Sequence, residues 1–172
     1  MRPTLSAPLF AIVLAASITG SLRAETLSFP KDNPAFTVEV PPGEHGSVSD
    51  ERGVTIGGVR IFEVNVKPDA NEQTIKKTML MWVNATMSSR LRPAETPKVE
   101  PTKEQLAPGV PGYLAYGSVK GQPSFDSSGG SYWFTAVMFQ AKDGRFFYAD
   151  GYDALGGPDL LEVTKSLKPI TK

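Results

Sequence analysis

The chain has 172 residues, with 18 basic and 18 acidic side chains, a single histidine and no cysteine. A surface with balanced charge does not attract phosphate backbones, so we expect no binding of nucleic acid. Without cysteine the chain forms no disulfide bonds and cannot carry the lipid of a bacterial lipoprotein, so its stability must come from packing.

The first 24 residues have the layout of a secretory signal peptide. Arg2 gives a positive start, residues 9–16 form a short apolar core, and Ser21–Ala24 offers a small-residue exit. Cleavage is expected after Ala24, with Gly20 as the alternative site, and an uncleaved membrane anchor is the other interpretation. The apolar run is shorter than the roughly 20 residues that cross a bilayer, so we predict an exported protein, periplasmic or secreted.

Removal of this segment takes two basic residues and no acidic residue. The remaining 16 basic and 18 acidic side chains give a net charge of −2. The last three lysines, Lys165, Lys168 and Lys172, are too few and too widely spaced for a polybasic membrane patch. Residues 25–172 are long enough for one domain with a substantial core.

The first half of this domain has the alternation of β-strands. Phe36, Val38 and Val40 share one face of a predicted strand. Residues 44–50 are polar and are predicted to form a loop. Residues 54–66 predict a hairpin around Gly57-Gly58, because glycine accepts the positive φ of a tight turn.

A long amphipathic helix is predicted from Glu72 to Arg90. Its stripe has spacings of three and four and contains Ile75, Met79, Trp82, Val83 and Met87. Asp69 or Asn71 is expected to cap its first turn. Met79, Met81 and Met87 are all expected to fill the core.

The second half returns to strands before a short final helix. Residues 99–106 predict a polar strand at the edge of a sheet, and residues 113–119 predict a second strand. Strands at 132–141 and 146–152 flank Asp143-Gly144, which is the most specific hairpin signal in the chain. A helix is predicted over 158–167. The order of elements predicts an α+β domain, an antiparallel β-sheet with a long helix and a C-terminal helix packed on it.

Two segments carry a resemblance to a known superfamily. The opening Phe29-Pro30-x-x-x-Pro34-x-Phe36-x-Val38-x-Val40-Pro41 resembles the start of bacterial domains related to photosystem II extrinsic protein P. The closing Leu160-Leu161-Glu162-Val163-x-x-Ser166-Leu167-Lys168-Pro169 is similar to their usual ending. This PsbP-like superfamily includes the Ran-release factor of nuclear import and small periplasmic proteins of unknown role. The resemblance implies an antiparallel sheet flanked by helices, in a layered sandwich, and a binding or accessory role.

The sequence offers no catalytic residues and no cofactor site. His45 is the only histidine, it lies in a polar segment, and no Gly-x-Ser-x-Gly turn accompanies it, so a Ser-His-Asp triad is not expected. One histidine and no cysteine do not make a zinc or copper site. Asp150 and Asp153 are the nearest candidate for calcium, although an acidic turn is the favoured interpretation. Glu39 and Glu63 alternate with apolar residues and are expected to face solvent.

Aromatic residues are concentrated in the last hairpin. Tyr132, Trp133, Tyr148 and Tyr152 are the candidate surface for a ligand or partner, because Tyr and Trp combine apolar area with a polar tip. Alternation places Trp133 and Phe139 on one face of the sheet and Phe134 on the other. The alternative is that the C-terminal helix covers these rings and makes them core.

These observations favour a non-catalytic binding or accessory protein of the bacterial envelope. Its expected partner is an envelope protein or a small apolar or aromatic ligand. Two other hypotheses remain open: an envelope hydrolase that uses carboxylates, and a structural protein that self-associates through the edge strand at 99–106.

Overall fold

The computed structural model describes residues 24–49, 53–91, 99–121, 130–152 and 159–170. The predicted signal peptide, apart from Ala24, lies outside them. The described residues form two antiparallel sheets and two helices, so the predicted α+β class is confirmed. In chain order the elements are β1 (Thr26–Phe29), β2 (Phe36–Glu39), β3 (Gly46–Ser49), β4 (Gly53–Ile56), β5 (Val59–Val64), α1 (Glu72–Leu91), β6 (Thr102–Ala107), β7 (Val110–Gly121), β8 (Gly130–Gln140), β9 (Phe146–Tyr152), α2 (Leu160–Lys165) and β10 (Lys168–Pro169).

The larger sheet has seven strands in the order β3-β4-β5-β9-β8-β7-β6, and the smaller sheet has the order β1-β2-β10. Both predicted hairpins lie in the larger sheet. Gly57 turns β4 into β5 with φ of 54°, and Gly144 turns β8 into β9 with φ of 91°, values that favour glycine. Within the described residues, β6 is an edge strand, as its polar sequence predicts.

The prediction of a loop at 44–50 is wrong for most of its length. Residues 46–49 form β3, which pairs with β4 from Gly46↔Ile56 to Ser49↔Gly53. Val48 is the residue of this strand that packs against the core. A strand with one apolar residue has no readable alternation, because its conformation is imposed by its neighbour in the sheet.

The larger sheet buries apolar side chains on both faces. One face, which we call the α2 face, carries Val137, Phe139, Phe147 and Ala149 and packs against α2 and the smaller sheet. Phe36 of the smaller sheet meets Phe139 and Phe147 edge to face, with ring centroids 5.2 and 5.5 Å apart. Such edge-to-face packing is a favourable arrangement for aromatic rings and joins the two sheets into one core.

The opposite face, the α1 face, lies beneath the long helix. Its sheet residues include Phe134, Ala136, Met138, Phe146 and Tyr148, and α1 contributes Ile75, Met79, Val83 and Met87. The helix begins where predicted, since Asn71 Oδ1 accepts a hydrogen bond from Thr74 N at 2.9 Å. Met81 departs from the prediction: its side chain is 57% exposed.

Strands β7 and β8 run past their outer neighbours. Pairing of β6 with β7 ends at Thr102↔Leu114, and pairing of β9 with β8 ends at Phe134↔Tyr152. In the described strands, Ser118–Gly121 and Gly130–Trp133 therefore pair with each other alone. They form a two-stranded ribbon at one end of the larger sheet.

None of the helices described is long and apolar enough to cross a bilayer.

Candidate binding surface

The predicted surface residues do not share one environment. Trp133 is 51% exposed on β8, whereas Tyr148 is fully buried on β9. Tyr148 packs beneath α1, with ring centroids 5.5 Å from Phe62 and 6.1 Å from Trp82. Tyr148 is therefore a core residue rather than part of an accessible surface, because even-numbered positions of β9 face α1.

The other two predicted residues are placed by their backbone only. Tyr132 pairs with Val119, and Tyr152 pairs with Phe134. Their side chains lie outside the described residues.

Trp133 has a partner that the sequence prediction missed. Its indole stacks on the ring of Tyr116 in β7, with centroids 5.1 Å apart and ring planes 14° from parallel. Tyr116 is 56% exposed, so both rings present large areas to solvent. We call these two residues the aromatic pair.

The register of β7 and β8 explains how the aromatic pair forms. Tyr116 lies opposite Thr135 and Trp133 lies opposite Ser118, so the two aromatic residues are diagonal neighbours on the α2 face. Diagonal positions of an antiparallel pair are close enough for large rings to meet. The pair lies where the ribbon leaves the sheet, and the exposure of its rings shows that α2 and the smaller sheet leave it largely uncovered.

Asp150, one of the two candidate calcium ligands, is bound by a basic residue. Arg60 donates from Nε to Asp150 Oδ1 at 3.2 Å and from Nη2 to Asp150 Oδ2 at 2.9 Å. Thr86 Oγ1 adds a hydrogen bond to Oδ2 at 3.1 Å. Asp153 lies outside the described residues. No three His, Cys, Asp or Glu residues cluster as metal ligands in the described part of the chain.

Glu39 and Glu63, which were expected to face solvent, are partly exposed, and both are paired with basic groups. Glu39 accepts from Lys168 Nζ at 2.7 Å, and Glu63 accepts from Arg145 Nη1 at 3.3 Å. Arg145 also binds Asp143 at 2.6 Å, and this hydrogen bond raises the pKa of the guanidinium. His45 is exposed beside β3. These contacts make Glu39 and Glu63 structural ion pairs, and they lie on different sheets.

A shallow cleft of about 380 Å³ lies where β5 ends beside the β8–β9 turn. Its lining residues are Glu63, Val64, Asn65, Val66, Pro68, Gly144 and Arg145. The guanidinium of Arg145 is committed to Glu63, Asp143 and the Asn33 carbonyl, so it is poorly placed to receive an anion.

No protein-family model, curated protein or solved structure matches the chain. The aromatic pair must therefore be judged on its own geometry. Stacked rings with exposed faces suit contact with a flat apolar group, a planar ring or an apolar side chain of a partner.

Proposed function

We propose that this protein is a non-catalytic binding or accessory module of the bacterial envelope. It docks an envelope protein or a small apolar or aromatic ligand on the aromatic pair, Tyr116 and Trp133. The observation that carries the proposal is the exposure of both rings, 56% and 51%, on a sheet whose other described aromatic side chains are mostly buried.

Exposed Tyr and Trp side chains have a recognised use at interfaces. Each supplies a large rigid apolar area and a polar tip, and little conformational entropy is lost when it is covered. A purely structural role is the competing explanation, since a cross-strand aromatic pair stabilises a two-stranded ribbon by roughly 0.2–1 kcal/mol. Binding and stability must therefore be measured separately.

The charged groups described above give little support to the hypothesis of a carboxylate hydrolase. A carboxylate hydrolase needs two acids with displaced pKa values in one cleft. Among the described acids, Glu72 has a lowered pKa, and its side chain is exposed at the start of α1. The proposal of export depends on the layout of residues 1–24, and the PsbP-like resemblance supports an accessory role.

The test uses the protein gently extracted from its own cell envelope and examined by native mass spectrometry. The wild type is expected to carry an added small mass or a co-purifying chain. Trp133→Ala and Tyr116→Ala should each weaken that association by about tenfold, as truncation of an interface aromatic commonly does. Met81→Ala is the matched control, because Met81 is equally exposed but belongs to α1, on the other side of the sheet.

Circular dichroism must show that both aromatic variants remain folded. If Trp133→Ala and Tyr116→Ala retain the bound species as well as Met81→Ala does, the aromatic pair is not the docking surface.

A single tryptophan can serve as the fluorescence reporter in binding titrations. The chain has two tryptophans, so Trp82→Phe leaves Trp133 as the single indole.

A further inference from the structure

The methionines of this chain divide sharply by exposure. The chain has five methionines and no cysteine, so methionine supplies all of its sulfur. Four of them lie in the described residues. Met79, Met87 and Met138 are at most 2% exposed, whereas Met81 is 57% exposed.

Helix geometry explains the contrast. Met79 and Met87 lie on the stripe of α1 that faces the sheet, eight residues apart. Met81 follows Met79 by two residues, which is a rotation of about 200° around the helix axis. Its side chain therefore points away from the sheet, as do those of exposed Lys77 and Ala85, one turn to either side.

We propose that Met81 is a site of selective, reversible oxidation by peroxides. The thioether sulfur attacks one oxygen of hydrogen peroxide, the O–O bond breaks, and an S–O bond forms. Sulfur gives up two electrons, the departing hydroxide takes the proton of the newly bound oxygen and leaves as water, and the product is methionine sulfoxide. A methionine sulfoxide reductase, with a dithiol as the reductant, would restore the thioether: the oxygen leaves as water and the dithiol is oxidised to a disulfide. The modification is independent of the proposed binding function.

The location of Met81 makes the product tolerable. A sulfoxide is polar, and at Met79, Met87 or Met138 it would have to be buried without a hydrogen-bond partner. At Met81 the new oxygen remains in water. Oxidation at this site is therefore expected to leave the fold intact, whereas oxidation of the buried methionines requires prior opening of the structure.

The experiment exposes the full chain to hydrogen peroxide and follows oxygen uptake with time by peptide mapping. Met79, Met81 and Met87 fall in one tryptic peptide, residues 78–90, so fragment ions must locate the added oxygen. We expect Met81 to be oxidised at least about tenfold faster than Met79, Met87 or Met138. In Met81→Leu, which keeps an apolar side chain of similar size, peptide 78–90 should remain unmodified during that fast phase.

Reduction and folding complete the test. The two methionine sulfoxide reductases, one for each sulfoxide epimer, should together remove the oxygen from the folded protein with a dithiol as reductant. The melting temperature of the singly oxidised chain should equal that of the untreated chain. The proposal is overturned if the first oxygen appears on Met79, Met87 or Met138. It is also overturned if Met81→Leu takes up oxygen in peptide 78–90 as fast as the wild type.

Discussion

Arg60 and Asp150 lie directly opposite each other in the β5–β9 pair, and the guanidinium of Arg60 bonds both carboxylate oxygens of Asp150. The two side chains differ greatly in their access to solvent, with 43% of Arg60 exposed and 2% of Asp150. Thr86, near the C-terminal end of α1, donates to the same carboxylate and so joins the long helix to the sheet. Asp150, one of the two residues considered for calcium, is therefore bound to Arg60 and Thr86.

The unequal exposure predicts an unequal cost of removing each partner. Arg60→Ala removes two charge-assisted hydrogen bonds from a carboxylate that is only 2% exposed and should lower the free energy of unfolding by about 2–3 kcal/mol. Asp150→Asn leaves an arginine that water can reach, so its expected cost is only about 1–2 kcal/mol. Urea denaturation followed by circular dichroism measures both values. An equal or larger loss in Asp150→Asn would contradict this account of the pair.

The approach of α2 to the sheet is a second feature with a testable consequence. A Cβ added at Gly151 would lie 2.8 Å from Leu160 Cβ, so an alanine there must push α2 away. We expect Gly151→Ala to destabilise the protein by about 1–3 kcal/mol, the usual cost of overpacking a core. Gly58→Ala is the matched control, because nothing lies within 4 Å of its added Cβ. Equal melting temperatures for the two variants would show that α2 is not held against Gly151.

Elements whose formation depends on residues close together in the sequence could be predicted from that sequence. The helix from Glu72, its Asn71 cap and the two glycine hairpins all follow from local patterns of apolar spacing and turn chemistry. Strand β3 could not be predicted, because its residues carry little pattern and its conformation comes from pairing with β4. The same holds for β10, two residues that pair with β2 near the other end of the chain.

The candidate site shows the same division. Alternation correctly placed Trp133 and Phe139 on the face opposite Phe134. It could not show that α2 and the smaller sheet cover Phe139 and leave Trp133 exposed, because that depends on packing between distant segments. Tyr116 was missed because its contact with Trp133 requires the register of β7 against β8, which the sequence does not specify.

The ion pair in the first turn of α1 predicts a dependence on pH. A hydrogen bond from Lys76 is the largest cause of the lowered pKa of Glu72, followed by the charge of Lys76, while the charge of Lys103 contributes least. A lowered pKa in the folded state means that this stabilisation is present above the usual glutamate pKa and is lost as pH falls through the folded value. The carboxylate of Glu72 is exposed and screened by solvent, so the effect on stability is small.

Substitution distinguishes the effects of Lys76 and Lys103 on the pKa of Glu72. Lys76→Met should raise the pKa of Glu72 toward its usual value, because it removes both the hydrogen bond and the nearer charge. Lys103→Met should raise it by less. NMR titration of the Glu72 carboxyl carbon measures both shifts, and a larger effect from Lys103→Met would show that the hydrogen bond from Lys76 is not formed in solution.

The exposed edge of β6 bears on the hypothesis that the protein self-associates. Its residues Thr102–Gln105 are exposed, and a bulge between Gln105 and Ala107 interrupts regular pairing at one end. If the β6 strands of two copies paired in antiparallel fashion, a two-fold axis would relate the two strands. Directly opposite residues of an antiparallel pair lie on the same face of the sheet, so the axis must place one residue opposite the same residue of the second copy. An axis at the centre of the exposed stretch would place either two Lys103 or two Glu104 side chains opposite each other. Two like charges in that position repel each other.

We therefore expect these two charges to prevent edge-to-edge pairing rather than to promote it. Sedimentation velocity over a concentration series should show a monomeric wild type, while the double variant Lys103→Val, Glu104→Val should associate as concentration rises. The double variant Lys77→Val, Glu162→Val makes the same charge changes at exposed helix positions and should remain monomeric. If the wild type already dimerises and the β6 variant dimerises no more strongly, self-association would be favoured over the binding role proposed for the aromatic pair.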